Sequence, residues 1–424
     1  MRAAGALTRT AATLAALIGL GWVHAGPAAA ETTPADRAIL AAQRSLQRNP
    51  YDATGYYRLG DAYIQKARET GDVAYFGRAE GALQKSLALA PQHAGVTRHL
   101  AYVFYSVHEF AKAAALATKA IELDPTDAHA YGILGDAHLE VGDYEQAETA
   151  YRQMLERGRD LHAWSRLAGL KSIRGDPASA IEMLSRAIEE GRTNRRPRES
   201  VAWAQWQLGV EHFGIGDLKS AEARYLESLA TYPNYHRALA GLGQVRAAQE
   251  RYREAIDLYQ KAIAVIPLPD YAAALGDLYL KMGRPDAAAR QYDLVEYIGR
   301  LSVLNRILYN RELAYFYADH DRWLDRALEL GRKELEVRRD VYAYDVLAWA
   351  LYKNGELAAA RTAMREALKL GTRDARLFFH AGMIHRGLGE TDTAKAYLRR
   401  ALATNPHFHV LHADLARRFL SDEP

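Results

Sequence analysis

One pair of residues recurs along the chain at a nearly fixed interval, and that interval limits the fold more than any other feature. A leucine followed by glycine or alanine stands at Leu59-Gly60, Leu100-Ala101, Leu134-Gly135, Leu167-Ala168, Leu208-Gly209, Leu242-Gly243, Leu275-Gly276, Leu313-Ala314 and Leu347-Ala348, with Ala381-Gly382 last. The steps are 41, 34, 33, 41, 34, 33, 38, 34 and 34 residues, so the base period is 34 and the longer steps are insertions. A chain with such a period builds one small unit many times, and each unit buries its apolar face against the next.

The rest of each unit keeps the register. About twelve residues beyond the small residue comes an alanine (Ala113, Ala147, Ala180, Ala221, Ala255, Ala288, Ala360, Ala394). Four residues on comes a large side chain, as at Tyr151, Leu184, Tyr225, Tyr259, Tyr292, Met364 and Leu398. Pro91, Pro125, Pro233, Pro267 and Pro406 close their units, and Gly142-Asp143, Gly175-Asp176-Pro177 and Gly216-Asp217 break them in the middle. The unit therefore reads as two helices. The small residue and the alanine let them approach, and the large residue fills the gap to the next hairpin. Glycine ends the first helix, Asp caps the second, and proline stops it.

These residues resemble the tetratricopeptide repeat, whose pattern is W-x2-L-G-x2-Y, then A-x3-F, then P. Tyr131, Leu134, Gly135, Ala147 and Tyr151 carry it in repeat three; Trp164, Leu167, Ala168, Ala180 and Leu184 carry it in repeat four. The resemblance covers roughly residues 53–406 and implies an all-α fold, a right-handed superhelical solenoid of about ten helix-turn-helix repeats with a C-terminal capping helix. The expected organisation is a signal peptide over 1–30, a lead-in helix over 31–52 and repeats one to four over 53–192. A basic linker at 193–200, repeats five to ten over 201–406 and a capping helix with tail over 407–424 complete it. Repeat one carries about seven extra residues near Ala67–Val73. Residues 293–340 are irregular, with Gly331 where the large residue belongs.

The first thirty residues have the parts of a secretory leader: Arg2 and Arg9, an apolar stretch from Thr10 to Val23, a Gly26-Pro27 break and Ala28-Ala29-Ala30 for cleavage. The apolar run is short for a membrane span. The expected location is the periplasm or exterior of a Gram-negative bacterium, with retention as an N-terminal anchor the alternative. Removal of the leader lowers the net charge from +3 to +1, because it holds two arginines and no acid. A protein so nearly neutral lacks the basic field that displaces counterions from nucleic acid, so nucleic acid is not an expected partner. There is no cysteine, hence neither a disulfide nor a thiol nucleophile.

In the family this chain resembles, the first helix of each repeat lines a concave face that binds a protein or peptide. The matching positions here include Tyr57, Arg98, Tyr102, Tyr105, Trp203, Trp206, Phe213, Arg311, Tyr315, Tyr342, Trp349, Tyr352 and Phe379. Tyr, Trp and Arg are the residue types that dominate binding hot spots. The expectation is an open, aromatic-lined groove that captures a protein segment, with no cofactor and with a homodimer as one arrangement. A scaffold for envelope polysaccharide synthesis or export, its rings stacking on sugars, is the alternative. The lysine and asparagine clamp with which some family members grip a C-terminal carboxylate is missing, since Tyr57, Asp61, Arg98, Tyr102, Gly132 and Asp136 occupy its positions.

No catalytic motif appears: neither a nucleophile elbow, a zinc-protease helix nor a phosphate-cradling loop. His407, His409 and His412 stand close together, but no carboxylate or cysteine nearby in sequence completes a ligand set, so no metal is expected. The arginines between Arg192 and Arg198 read as a solvated loop between repeats.

Overall fold

The computed structural model describes residues 33–304 and 310–421, and helices and connecting turns account for all of them. α1 (Pro34–Arg48) leads in, and ten hairpins follow. They are α2 (Ala53–Thr70) with α3 (Ala74–Leu89), α4 (Ala94–Ser106) with α5 (Phe110–Leu123), α6 (Ala128–Glu140) with α7 (Tyr144–Arg157), α8 (Leu161–Ile173) with α9 (Pro177–Thr193), and α10 (Arg198–Gly214) with α11 (Leu218–Thr231). The second five are α12 (His236–Ala248) with α13 (Tyr252–Val265), α14 (Pro269–Lys281) with α15 (Pro285–Leu304), α16 (Asn310–Asp319) with α17 (Leu324–Val337), α18 (Val341–Lys353) with α19 (Leu357–Leu368), and α20 (Ala375–Gly387) with α21 (Thr391–Thr404). α22 (His412–Ser421) ends the described chain. The leader over 1–30 lies outside the described residues.

The repeated residues pack as their chemistry suggests. Tyr225 is wedged between Gly209 of its own repeat and Gly241 of the next; a Cβ at either glycine would meet its ring at 2.5 or 2.6 Å. The insertion in repeat one lengthens α2 to 18 residues instead of forming a loop. The basic stretch is mostly helical, with only 194–197 between α9 and α10. Three of its four arginines have partners: Arg192 meets Glu227, Arg196 meets Glu190, and Arg198 donates to the Thr231 carbonyl at 2.7 Å. Gly331 lets α17 approach α18, since a Cβ there would stand 3.3 Å from the Leu347 Cα.

The superhelix closes on itself. The turn after the first helix of repeats three, four and five touches the segment that opens repeats nine and ten and α22. The Arg339 amide donates to the Glu140 carbonyl at 2.9 Å, and the Val341 amide donates to the Tyr144 hydroxyl at 2.9 Å. One step further the Thr372 hydroxyl donates to the Ile173 carbonyl, and the Asn405 side chain donates to the Phe213 carbonyl at 2.8 Å. Gly142 and Gly175 adopt φ of 83° and 75°, and a Cβ on either would run into the backbone of the opposite turn at Arg339 or Gly371. Six repeats thus make one superhelical turn, and successive turns are in contact. The expected open groove is replaced by an enclosed lumen.

Candidate partner-binding chamber

The lumen differs along its length. In the first six repeats its wall is polar and leaves space. A cavity of about 480 Å³ is bordered by Arg68, Tyr102, Tyr105, Asp136, Glu140, His162, Arg166, Glu199, Trp203, Tyr235, His236 and Arg338. A second space of about 300 Å³ shares Arg68, Tyr102, His162 and Arg166 with it and adds Asp61, Arg98, His99 and His129. The two form one chamber walled by the first helices of repeats one to six and by one arginine from the next superhelical turn.

Its charges are held by partners on the wall. Arg166 grips the Asp136 carboxylate through Nε at 2.9 Å and Nη2 at 2.7 Å, and Tyr151 donates to the same carboxylate at 2.9 Å. Burial works against the charge of Arg166, but Asp136 more than restores it, so its pKa lies above the ordinary value. Arg68 pairs with Glu199 at 2.8 Å; burial nevertheless raises the Glu199 pKa. Arg338 reaches Glu140 at 2.6 Å and Glu334 at 3.0 Å, while Arg311 ties Glu334 at 3.0 Å to Asp340 at 2.9 Å. Burial pushes the imidazoles of His108 and His236 down to about 3, and that of His162 also well below the ordinary range, so all three are neutral near pH 7.

In the last four repeats the lumen is filled. Trp349 is 2% exposed and stacks on His380 with ring centroids 4.2 Å apart; Phe379 is 0% exposed and stacks on His412 at 4.8 Å. His380 approaches Asp345 at 2.9 Å, and Tyr315 donates to Asp345 at 2.7 Å. Asp277 accepts from Tyr292 at 2.8 Å and from His320 Nε2 at 2.7 Å. His320 faces two acceptors, because its Nδ1 lies 2.7 Å from the Phe316 carbonyl. Burial opposes its charge, yet Asp277 raises its pKa above the ordinary value.

The thirteen residues expected on the groove therefore separate. Arg98, Tyr102, Tyr105 and Trp203 line the chamber, and Tyr57 borders it against His99, ring centroids 5.0 Å apart. Trp206 neighbours Trp203 and lies under the Arg237 guanidinium. Phe213 packs on Tyr225 and Leu242, and Arg311 is held in ion pairs with Glu334 of its own repeat and Asp340 of the next. Tyr315, Trp349 and Phe379 are buried in the filled interior, where they support the fold, and Tyr342 and Tyr352 pack partly buried against it. Sequence reasoning missed His129, His162 and Arg237, although they occupy the same register position as Trp203. It also missed Arg338, which reaches the chamber only because the turns stack.

This geometry defines a class: a closed superhelical stack of helical hairpins with a polar chamber in its first turn. Family models described as tetratricopeptide repeat match residues 104–172, 207–272 and 346–417. The chain is a tetratricopeptide-repeat protein. A curated relative, the Hsp70-Hsp90 organizing protein of Triticum aestivum, is 34% identical over 94 residues, which are 21% of this chain and 16% of that protein. The human IFIT1 dimer with PPP-AAAA superposes with a TM-score of 0.50 at 15% identity, covering 79% of this chain and 77% of that one, a likeness of fold alone. YrrB, described as a tetratricopeptide protein with an unusual peptide-binding site, is 24% identical over 44% of this chain and 93% of its own, with a TM-score of 0.30.

Proposed function

We propose that this protein is a non-catalytic interaction scaffold of the cell envelope, which captures a protein segment in the chamber of its first superhelical turn. The observation that carries the reading is the contrast within one lumen: the first turn keeps some hundreds of cubic ångströms of space walled by tyrosines, tryptophan and neutralised charge, while in the second stacked rings and the C-terminal histidines take up most of the interior. Tyr102, Tyr105 and Trp203 offer large rigid contact area, and the paired arginines offer directional donors without a strong net field. Such a wall favours a segment with mixed apolar and polar side chains over a highly charged one. The leader pattern of residues 1–30 supports the envelope assignment. No helix among the described residues is long and apolar enough to cross a membrane.

The test is site-specific crosslinking in the native envelope, with a photoreactive residue at Tyr102 or at exposed Tyr51 outside the chamber. One partner should crosslink from position 102 and not from 51. The purified pair should lose about tenfold or more in affinity with Tyr102→Ala plus Trp203→Ala. Undiminished affinity in that double variant, with its helical content intact, would place the partner elsewhere on the molecule.

A further inference from the structure

The filled second turn contains a feature that partner binding does not use. Asp319, at the end of α16, and His409 and His412, at the start of the C-terminal segment, are some ninety residues apart, and one ligand atom of each lies within 4.8 Å of the other two. We propose that Asp319, His409 and His412 bind a divalent first-row cation of the Zn2+ class and thereby fasten the C-terminal helix to the wall of repeat eight.

Three observations carry this. Asp319 is a largely buried carboxylate with no lysine or arginine within 4.0 Å among the described residues; it accepts from Trp349 Nε1 at 2.7 Å and faces His412 Nε2 at 3.9 Å. That separation is too long for a hydrogen bond. Ligands bound at about 2.0–2.2 Å in a tetrahedron stand roughly 3.3–3.6 Å apart, so a cation needs to draw this pair together by less than an ångström. Next, the His412 ring is buried between Phe379 and His409, and its Nδ1 has no hydrogen-bond partner. Last, His409 has the support a ligating histidine needs. Its Nε2 faces the Asp277 carboxylate at 3.4 Å, and Asp277 is itself fixed by Tyr292 and His320. A carboxylate behind the imidazole orients it and strengthens the other nitrogen as a donor.

That nitrogen, Nδ1, meets the amides of Leu411 and His412 at 3.2 and 3.3 Å, and ligation would take the lone pair from these two long contacts. Two imidazoles and one carboxylate are a borderline donor set that suits Zn2+ better than Ca2+ or Mg2+, with water completing the tetrahedron. A cleft of about 220 Å³, lined by His409, Asp277 and Lys281, gives access.

The test uses the full chain, stripped with chelator and titrated with Zn2+ alone by calorimetry and metal analysis. One equivalent should bind and raise the melting temperature. Asp319→Asn, which keeps the size of the side chain, should weaken binding at least tenfold, and His407→Ala, outside the set, should leave it unchanged. Co2+ in place of Zn2+ should give the intense visible band of a tetrahedral ion, a readout that does not depend on a variant folding. Absence of stoichiometric uptake, equal affinity in Asp319→Asn, or only a weak octahedral Co2+ spectrum would overturn the proposal.

Discussion

The first and second turns of this superhelix use the same positions of the same repeat to line the lumen, and they reach opposite results. At the register position that follows the small residue, the early repeats carry Asp61, Tyr102 and Asp136, and the later ones carry Asp277, Tyr315 and Trp349. In the first turn, long charged side chains are drawn back onto the wall by acids, as Arg166 is by Asp136, and space is left between them. In the second, flat rings stack face to face, and the C-terminal histidines slide in between. A solenoid can thus turn the same surface into a binding chamber or into a core by the shape and charge of a few side chains per repeat.

The sharpest way to break this comparison is to cut the same residue type from each side of it. Trp349→Ala should cost about 3–5 kcal/mol in a denaturant titration, as for other buried aromatic side chains. Trp203→Ala, whose ring is only half-buried, should cost clearly less and should act on partner affinity. Equal losses of stability would mean that the chamber is core as well.

Arg311→Ala tests the ion-pair network beside the join between the turns, in which Arg338 links Glu334 to Glu140. It leaves Asp340, 7% exposed, without its arginine, and Glu334, 1% exposed, with Arg338 alone, and should destabilise by about 3 kcal/mol. The aromatic variants of the chamber offer no such loss, so an Arg311 variant with normal stability and lost partner binding would restore it to the binding surface.

The turn glycines give a smaller, cleaner contrast. Gly175 and Gly355 have nearly the same φ, 75° and 79°, so alanine at either meets the same backbone strain of about 1–2 kcal/mol. Only at Gly175 does the new Cβ also strike the opposing turn; at Gly355 nothing lies within 4 Å. Thermal melts should show Gly175→Ala as the worse by a further ~1–3 kcal/mol. Equal melting temperatures would mean that the turns do not touch in solution.

Acid should weaken the chamber by a similar or smaller amount. His108 and His236 are held at about 3, mainly by burial, against an ordinary value of 6.5. The unfolded chain takes up protons first, so the stability they permit is complete above about pH 6.5 and falls as pH drops toward 3. The limit is about 1.4 kcal/mol per pH unit for each fully buried imidazole. His320 has the opposite sign. Its pKa is raised, so its contribution is complete below about pH 6.5 and is lost as pH rises through the folded value. His236→Gln should flatten the acid limb of a stability profile without changing the alkaline one.

The sequence made the hairpins legible because each depends on short spacings: the small residue, the alanine about twelve residues on, the glycine and the capping aspartate. It also placed Tyr102, Tyr105 and Trp203 on the inner face. It did not reveal that Arg338 would meet Glu140, or Asp319 would meet His412, because those contacts depend on the pitch of the superhelix. Pitch is the sum of small rotations between neighbouring hairpins, and no local pattern encodes it. The aromatic richness of the later repeats was visible, but whether rings line a groove or fill a core was decided by the C-terminal histidines that pack among them.

Closure of the superhelix is the claim on which the rest depends, and amide hydrogen exchange at two residues tests it directly. Arg339 and Val341 stand at the start of α18, where amides have no partner within the helix and in an open superhelix would face water. Contact with Glu140 and Tyr144 of the preceding turn predicts strong protection at both, with Tyr144→Phe releasing Val341 alone. Exchange of both amides at the rate of an unstructured peptide, in a protein whose helices are otherwise protected, would contradict the account.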